Sequence, residues 1–122
     1  MTTKKQTFDF SNNHAADPIE LWVLRVINRK DVTTTEAAVA LLLAYRINSC
    51  CQNPFPMHSG ELARLGRQIG LNIHGRADHW ARLRGAITRL QDKGFLVLHL
   101  RADPMGGAPF LTSIEVIVSG GR

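Results

Sequence analysis

From residue 17 onward the apolar positions fall into four helical stripes followed by two strand-like runs. Asp17-Pro18-Ile19-Glu20 opens the first helix. The Asp17 carboxylate can accept from a free first-turn amide, Pro18 stands where no amide donor is needed, and Glu20 can reach back as in a capping box. Ile19, Trp22, Val23, Val26 and Ile27 then recur at helical spacing. Asn28-Arg29-Lys30 closes the helix, its positive charge favoured by the dipole there. Thr33 and Glu36 stand at capping-box spacing and start a second helix. Residues 37–45 are apolar almost all round, which predicts a central helix covered on several sides. It ends within 47–56, where Pro54 and Pro56 around Phe55 impose an extended path. Ser59-Gly60-Glu61 is suited to cap a third helix running to about Ile69. Leu62, Leu65 and Ile69 face inward there, Arg64, Arg67 and Gln68 face outward, and Gly70 stops it.

The fourth helix is the clearest. Asp78 is placed as its N-cap and Gly94 as its left-handed stop, with a buried stripe of Trp80, Leu83, Ile87 and Leu90 between them. At about 100° per residue the opposite face carries Arg82, Gly85 and Arg89, flanked by Ala81 and Thr88. Gly85 lowers helix propensity by roughly 1 kcal/mol against alanine, and on an outward face it admits close approach of a backbone or sugar. Residues 95–100 and 111–118 read as strands, and Pro104, Gly106, Gly107 and Pro109 between them make a turn-rich loop. About four helices followed by a C-terminal β-hairpin predict an α+β, mostly helical domain over 17–122. It divides into an extra N-terminal helix at 17–30, a helical core at 33–94 and a hairpin at 95–118. Residues 1–16, with Lys4 and Lys5, read as a loose basic arm in which Phe8 and Phe10 alternate.

Charge changes the picture by its distribution. The chain carries +5 overall, which points to an acidic partner, nucleic acid being the commonest. Residues 1–60 hold six Lys/Arg against five Asp/Glu, and residues 61–122 hold nine against five. Between Arg64 and Arg89 there are six arginines and one acid, Asp78. A solvated basic face without a partner is the alternative reading of that cluster.

These residues also carry a family resemblance. Thr34-Thr35-Glu36-Ala37 through Leu42, then Phe55-Pro56, then Leu65-Gly66-Arg67-Gln68-Ile69-Gly70-Leu71, then Ala86-Ile87, Leu90 and Lys93-Gly94-Phe95-Leu96 resemble winged helix-turn-helix domains. Such domains occur in phage and plasmid replication proteins and small bacterial repressors. The match covers about residues 33–98. It departs from the pattern at Gly66, where alanine is preferred, and in a longer spacer at 71–77. The resemblance implies that the helix 78–93 enters a major groove and that 95–118 is the wing.

Candidate chemistry is sparse. No serine stands in a nucleophile elbow and no glycine loop has phosphate-cradling spacing, so an enzyme is not expected. His58, His74 and His79 are not spaced with Cys50 and Cys51 in a zinc pattern. The two adjacent cysteines read as packing residues in a reduced, cytoplasmic protein, and no cofactor is expected. No signal peptide is evident in the polar start, and 37–45 is too short to span a bilayer.

The expectation is therefore a sequence-specific binder of double-stranded DNA, a small transcriptional regulator acting by occupancy. Arg82, Arg84 and His79 are the expected base readers, with Gly85 and Thr88 on the same face. Arg64, Arg67, Arg76 and Arg89 are the expected phosphate contacts, and Arg101 touches backbone or a minor groove at the wing. Two alternatives remain: an accessory factor in plasmid or phage replication, partition or transfer, and a winged helix used for protein contact. The stripe Ile19, Trp22, Val23, Val26 and Ile27 is expected first to pack on the core and second to serve a homodimer, the two being compatible.

Overall fold

The computed structural model describes residues 17–58, 60–72 and 75–118. The chain runs α1 (Pro18–Ile27), α2 (Thr34–Cys50), β1 (Phe55–Pro56), α3 (Glu61–Gln68), α4 (Ala77–Asp92), β2 (Leu96–Arg101) and β3 (Phe110–Val116). It is an α+β arrangement of four helices and one three-stranded antiparallel sheet in the order β1-β3-β2. The expected arm at 1–16, the Ser59 cap, part of the 71–77 spacer and residues 119–122 lie outside the described residues.

Local rules account for most of the helix ends. Asp17 accepts from the Ile19 amide at 2.9 Å, and Thr33 and Glu36 close a reciprocal capping box. Glu20 does not complete a second box and stays exposed. The first helix ends at Ile27, not near 30, because Arg29 leaves it to pair with Asp31 and to lie 5.2 Å from the centroid of the Phe95 ring. Arg76, not Asp78, is the N-cap of α4; Asp78 sits in the first turn, where the Arg76 guanidinium holds it. Gly94 takes φ +85°, and the Phe95 amide behind it bonds the Leu90 carbonyl at 3.0 Å.

The expected hairpin is present, and it is joined by a strand that the proline pair concealed. Phe55 and Pro56 lie opposite Ile114 and Ser113 of β3. Pro56 has no amide to donate, which suits it to a sheet edge. The Asn53 side chain extends this edge, donating to the Val116 carbonyl at 3.0 Å and accepting from the Val116 amide at 2.9 Å. On the other side β2 pairs with β3 from Leu96↔Val116 to Arg101↔Phe110, with a register shift after His99. There the Thr112 hydroxyl donates to the His99 carbonyl at 2.9 Å.

Packing gathers all these elements on one core that includes Trp22, Val26, Leu43, Leu65, Leu83, Leu90, Leu96 and Ile114, all fully or nearly fully buried. Trp22 carries a polar handle, and its indole N–H donates to the Phe95 carbonyl at 2.8 Å. Arg25 donates to the Ile117 carbonyl at 2.8 Å. Both bonds fasten α1 to the chain that enters and leaves the hairpin. Of the α1 stripe, Ile19, Trp22, Val23 and Val26 are consumed by the core, and Ile27 is exposed. Four positions of that stripe thus pack on the core, the first of the two readings of this helix, and Ile27 stays outside it. Two expectations fail. The second helix is not covered all round, since Leu41 and Tyr45 face solvent. Cys50 and Cys51 are exposed free thiols, because they end the helix outside the core and Cys51 takes a left-handed C-cap conformation.

Glu36 is the fully buried acid of the core. Arg89 in the last turn of α4 reaches it at 2.5 Å, Lys93 at the C-cap reaches it at 2.6 Å, and the Thr33 amide bonds it at 3.4 Å. Burial pushes its carboxyl up. The hydrogen bonds from Lys93, Arg89 and Thr33 and the Lys93 charge outweigh that and hold it below the usual carboxylate range.

Replacing Glu36 by Gln removes the charge at constant shape. Arg89 can turn to water, so the expected loss near neutral pH is that of a charged hydrogen-bond set, roughly 1.5–3 kcal/mol. A carboxyl whose folded pKa is depressed contributes fully above its unfolded value, near 4.3, and loses that contribution as pH falls through the folded value. Urea unfolding of both proteins across pH 3–8 should show a gap that is constant above about pH 5 and closes in acid. A gap independent of pH refutes the ionised cluster.

Candidate nucleic-acid interface

The helix α4 projects its sides in different directions because successive residues turn by about 100°. Leu83, Ala86, Ile87 and Leu90 enter the core. Asp78, Ala81, Arg82, Thr88 and Arg89 form the solvent stripe, with Gly85 half-buried on it. The expected outward face therefore exists, but its arginines have different employment.

Arg89, expected on phosphate, is committed to Glu36, although its side chain remains 48% exposed. Gly85 belongs to that arrangement. A Cβ built there would stand 3.1 Å from an Arg89 guanidinium nitrogen, so the absent side chain leaves the path along which Arg89 crosses α4. The close approach it permits is internal. Arg76 forms a forked pair with Asp78 at 3.2 and 3.3 Å. Slight desolvation would raise the Asp78 carboxyl, but the Arg76 charge and hydrogen bond outweigh it and hold it below the ordinary range.

Arg84 and Arg82 do not share a face, being about 200° apart around the helix. Arg84 turns towards the hairpin, where its guanidinium carbon lies 5.7 Å from the centroid of the Trp80 ring, a cation–π distance. Trp80 is half-buried rather than part of the closed core. The pair lines a groove of about 330 Å³ with Leu62 of α3, Leu98 and Leu100 of β2, and Leu111 of β3. His79 faces the turn before α4: its Nδ1 accepts from the Asn72 amide at 2.8 Å. That bond requires an unprotonated Nδ1, so the ring positions the turn between α3 and α4 instead of offering that nitrogen to a ligand.

Arg82 is exposed and, among the described residues, makes no ion pair or hydrogen bond. Arg64 and Arg67 are exposed on α3, and Arg64 is held loosely by Glu61 at 3.5 Å. The same Glu61 is bound by Arg46, which also reaches Gln68 and so ties α2 to both ends of α3. Arg101 is exposed at the end of β2, where the hairpin loop begins. Arg82, Arg64 and Arg101 are thus exposed to an approaching anion, Arg64 while held loosely by Glu61, with Arg76 already sharing Asp78.

Sequence reasoning missed the apolar character of the hairpin surface. Leu100, Met105 and Phe110 are exposed around its loop, Met105 almost completely. The signal was available in bulky apolar residues within and beside a Pro/Gly-rich turn. Among the described residues, no group of three or more His, Cys, Asp or Glu is arranged to hold a metal, and no helix is long and apolar enough to cross a membrane. No family model, curated protein or solved structure matches the chain.

The division between tied and free arginines is measurable by unfolding. Arg89→Met should lower stability by about 1.5–3 kcal/mol, because it strips one charged partner from buried Glu36. Arg82→Met should change it by less than about 0.5 kcal/mol, as for an exposed residue without a partner. Equal effects contradict the division.

Proposed function

We propose that the protein binds double-stranded DNA sequence-specifically and acts as a small transcriptional regulator by occupying its site. In this reading the chain is a winged helix-turn-helix. The second helix α2, strand β1, α3, α4 and the β2–β3 hairpin follow one another as that fold requires, and α1 is an addition. Support comes from the sheet order, from the resemblance over 33–98 and from the positive charge of the second half of the chain.

The single observation that carries the reading is Arg82, an unpaired guanidinium on the solvent stripe of the N-terminal half of α4 while neighbouring arginines are engaged. Such a group has the shape to hydrogen-bond the O6 and N7 edge of guanine. Arg64, Arg67 and Arg101 serve phosphates, which set register without reading sequence. Arg84 moves from base reader to the helix–hairpin groove, and His79 and Arg89 become structural supports. The same geometry serves an accessory factor in plasmid or phage replication, partition or transfer. The apolar hairpin residues Leu100, Met105 and Phe110 favour a second reading, in which the wing meets another protein.

Selection from random duplex pools at two salt concentrations tests the proposal. Enrichment of a defined site is expected, and Arg82→Ala should weaken binding to it by about 1–3 kcal/mol and relax preference at one position. Arg64→Ala should weaken all sequences alike and reduce the salt slope by about 1. Tandem enriched sites favour the replication reading. Absence of binding at low salt refutes DNA recognition and leaves the protein-contact reading.

A further inference from the structure

We propose that the solvent face of the α1–α2 pair is a docking surface for a second copy of this chain, with the two α1 helices antiparallel about a two-fold axis near Leu24. The core uses one stripe of α1 and leaves the neighbouring one uncovered. Leu24 and Ile27 of α1 are 49% and 43% exposed, and Leu41 and Tyr45 of α2 are 52% and 70% exposed. These four side chains and Ala44 line a groove of about 660 Å³ between the two helices. Each helix contributes residues three or four apart, so the exposed apolar surface is continuous instead of scattered.

Charge selects the occupant. Among the described residues no Lys or Arg lines the groove, and its one charged side chain is Glu20 at the start of α1. That composition gives nothing to a nucleic acid or an anionic lipid surface. It suits a copy of itself. Glu20 stands near one end of α1 and Lys30 just beyond the other, both exposed and neither in an ion pair among the described residues. Antiparallel pairing with the axis between Leu24 and Val26 sets Glu20 level with Lys30 of the second copy, twice over by symmetry, while Leu24 and Ile27 meet near the axis. The helix dipoles then oppose as well. Arg29 and Asp31 already satisfy each other, Asp17 is hydrogen-bonded by the Ile19 amide and the Asn48 side chain and Arg25 by the Ile117 carbonyl, which leaves Glu20 and Lys30 as the pair to form across the seam. The groove takes no residue from α3, α4 or the hairpin, so pairing leaves Arg82 accessible in both copies. The inference does not rest on DNA binding.

Sedimentation equilibrium of the full chain without DNA tests it. A concentration-dependent dimer is expected. Leu24→Asp with Tyr45→Asp changes two exposed residues; it should weaken the dimer about tenfold or more while leaving far-UV circular dichroism and the unfolding midpoint close to the parent. Glu20→Lys should weaken it about two- to fivefold, as for an exposed ion pair, and adding Lys30→Glu should restore it. A monomer at every concentration overturns the proposal, as does a dimer indifferent to the Leu24/Tyr45 double substitution. Dimerisation only after removal of residues 1–16 also overturns it, because that segment then covers the face within one chain. A charge-swapped double variant as weak as Glu20→Lys alone overturns the antiparallel arrangement.

Discussion

The buried carboxylate of Glu36 is the constraint on which the arrangement of α4 depends. A charge without water must be surrounded by donors, since burying it unpaired costs several kcal/mol. The donors come from Arg89 and Lys93, one helical turn apart near the end of α4. Lys93 also bonds the Asp31 carbonyl, in the turn before α2. Hydrophobic packing of Leu83, Ile87 and Leu90 is compatible with small rotations and slides of α4. A buried carboxylate with two cationic partners is less so, because it keeps both donors only while the end of α4 stays against the start of α2. The angle at which α4 presents Arg82 therefore follows from a contact made on its opposite half, deep against α2.

The arginines divide by what they can reach. Arg25 caps a carbonyl after β3, Arg46 joins α2 to α3, Arg76 takes the carboxylate two residues along, Arg84 lies over an indole and Arg89 neutralises Glu36. A guanidinium with planar, delocalised charge serves all of these. What distinguishes Arg82 is that the acid one turn before it on the same stripe, Asp78, is taken by Arg76. The net positive charge of the second half is thus smaller in effect than the number of its arginines.

Apolar surface is divided in a similar way. The α1–α2 face carries aliphatic side chains and a tyrosine with almost no charge. The hairpin carries Leu100, Met105 and Phe110 beside the Trp80–Arg84 groove, close to the basic helices. Among the described residues two separate apolar surfaces thus lie open on one small domain.

The elements and their order were legible in the sequence, because they follow from local rules: helical recurrence in Trp22–Val26 and Leu83–Ile87–Leu90, the Thr33/Glu36 capping box, the stop at Gly94, and the Pro/Gly turn between two apolar runs. The strand at Phe55–Pro56 was not, because two residues carry no periodicity and become a strand only when β3 lies beside them. Nor were the arginine roles. The same spacing puts Arg82 and Arg89 on one face, and only the approach of Glu36, 53 residues away in the chain, separates a structural guanidinium from a free one. Cys50, Cys51, Leu41 and Tyr45 were misread for the same reason: an apolar helix does not itself say how many neighbours it will have. Periodicity and capping are properties of contiguous residues and were determined by the sequence alone. Burial and ion pairing belong to residues that meet across the fold, so only the tertiary structure decided them.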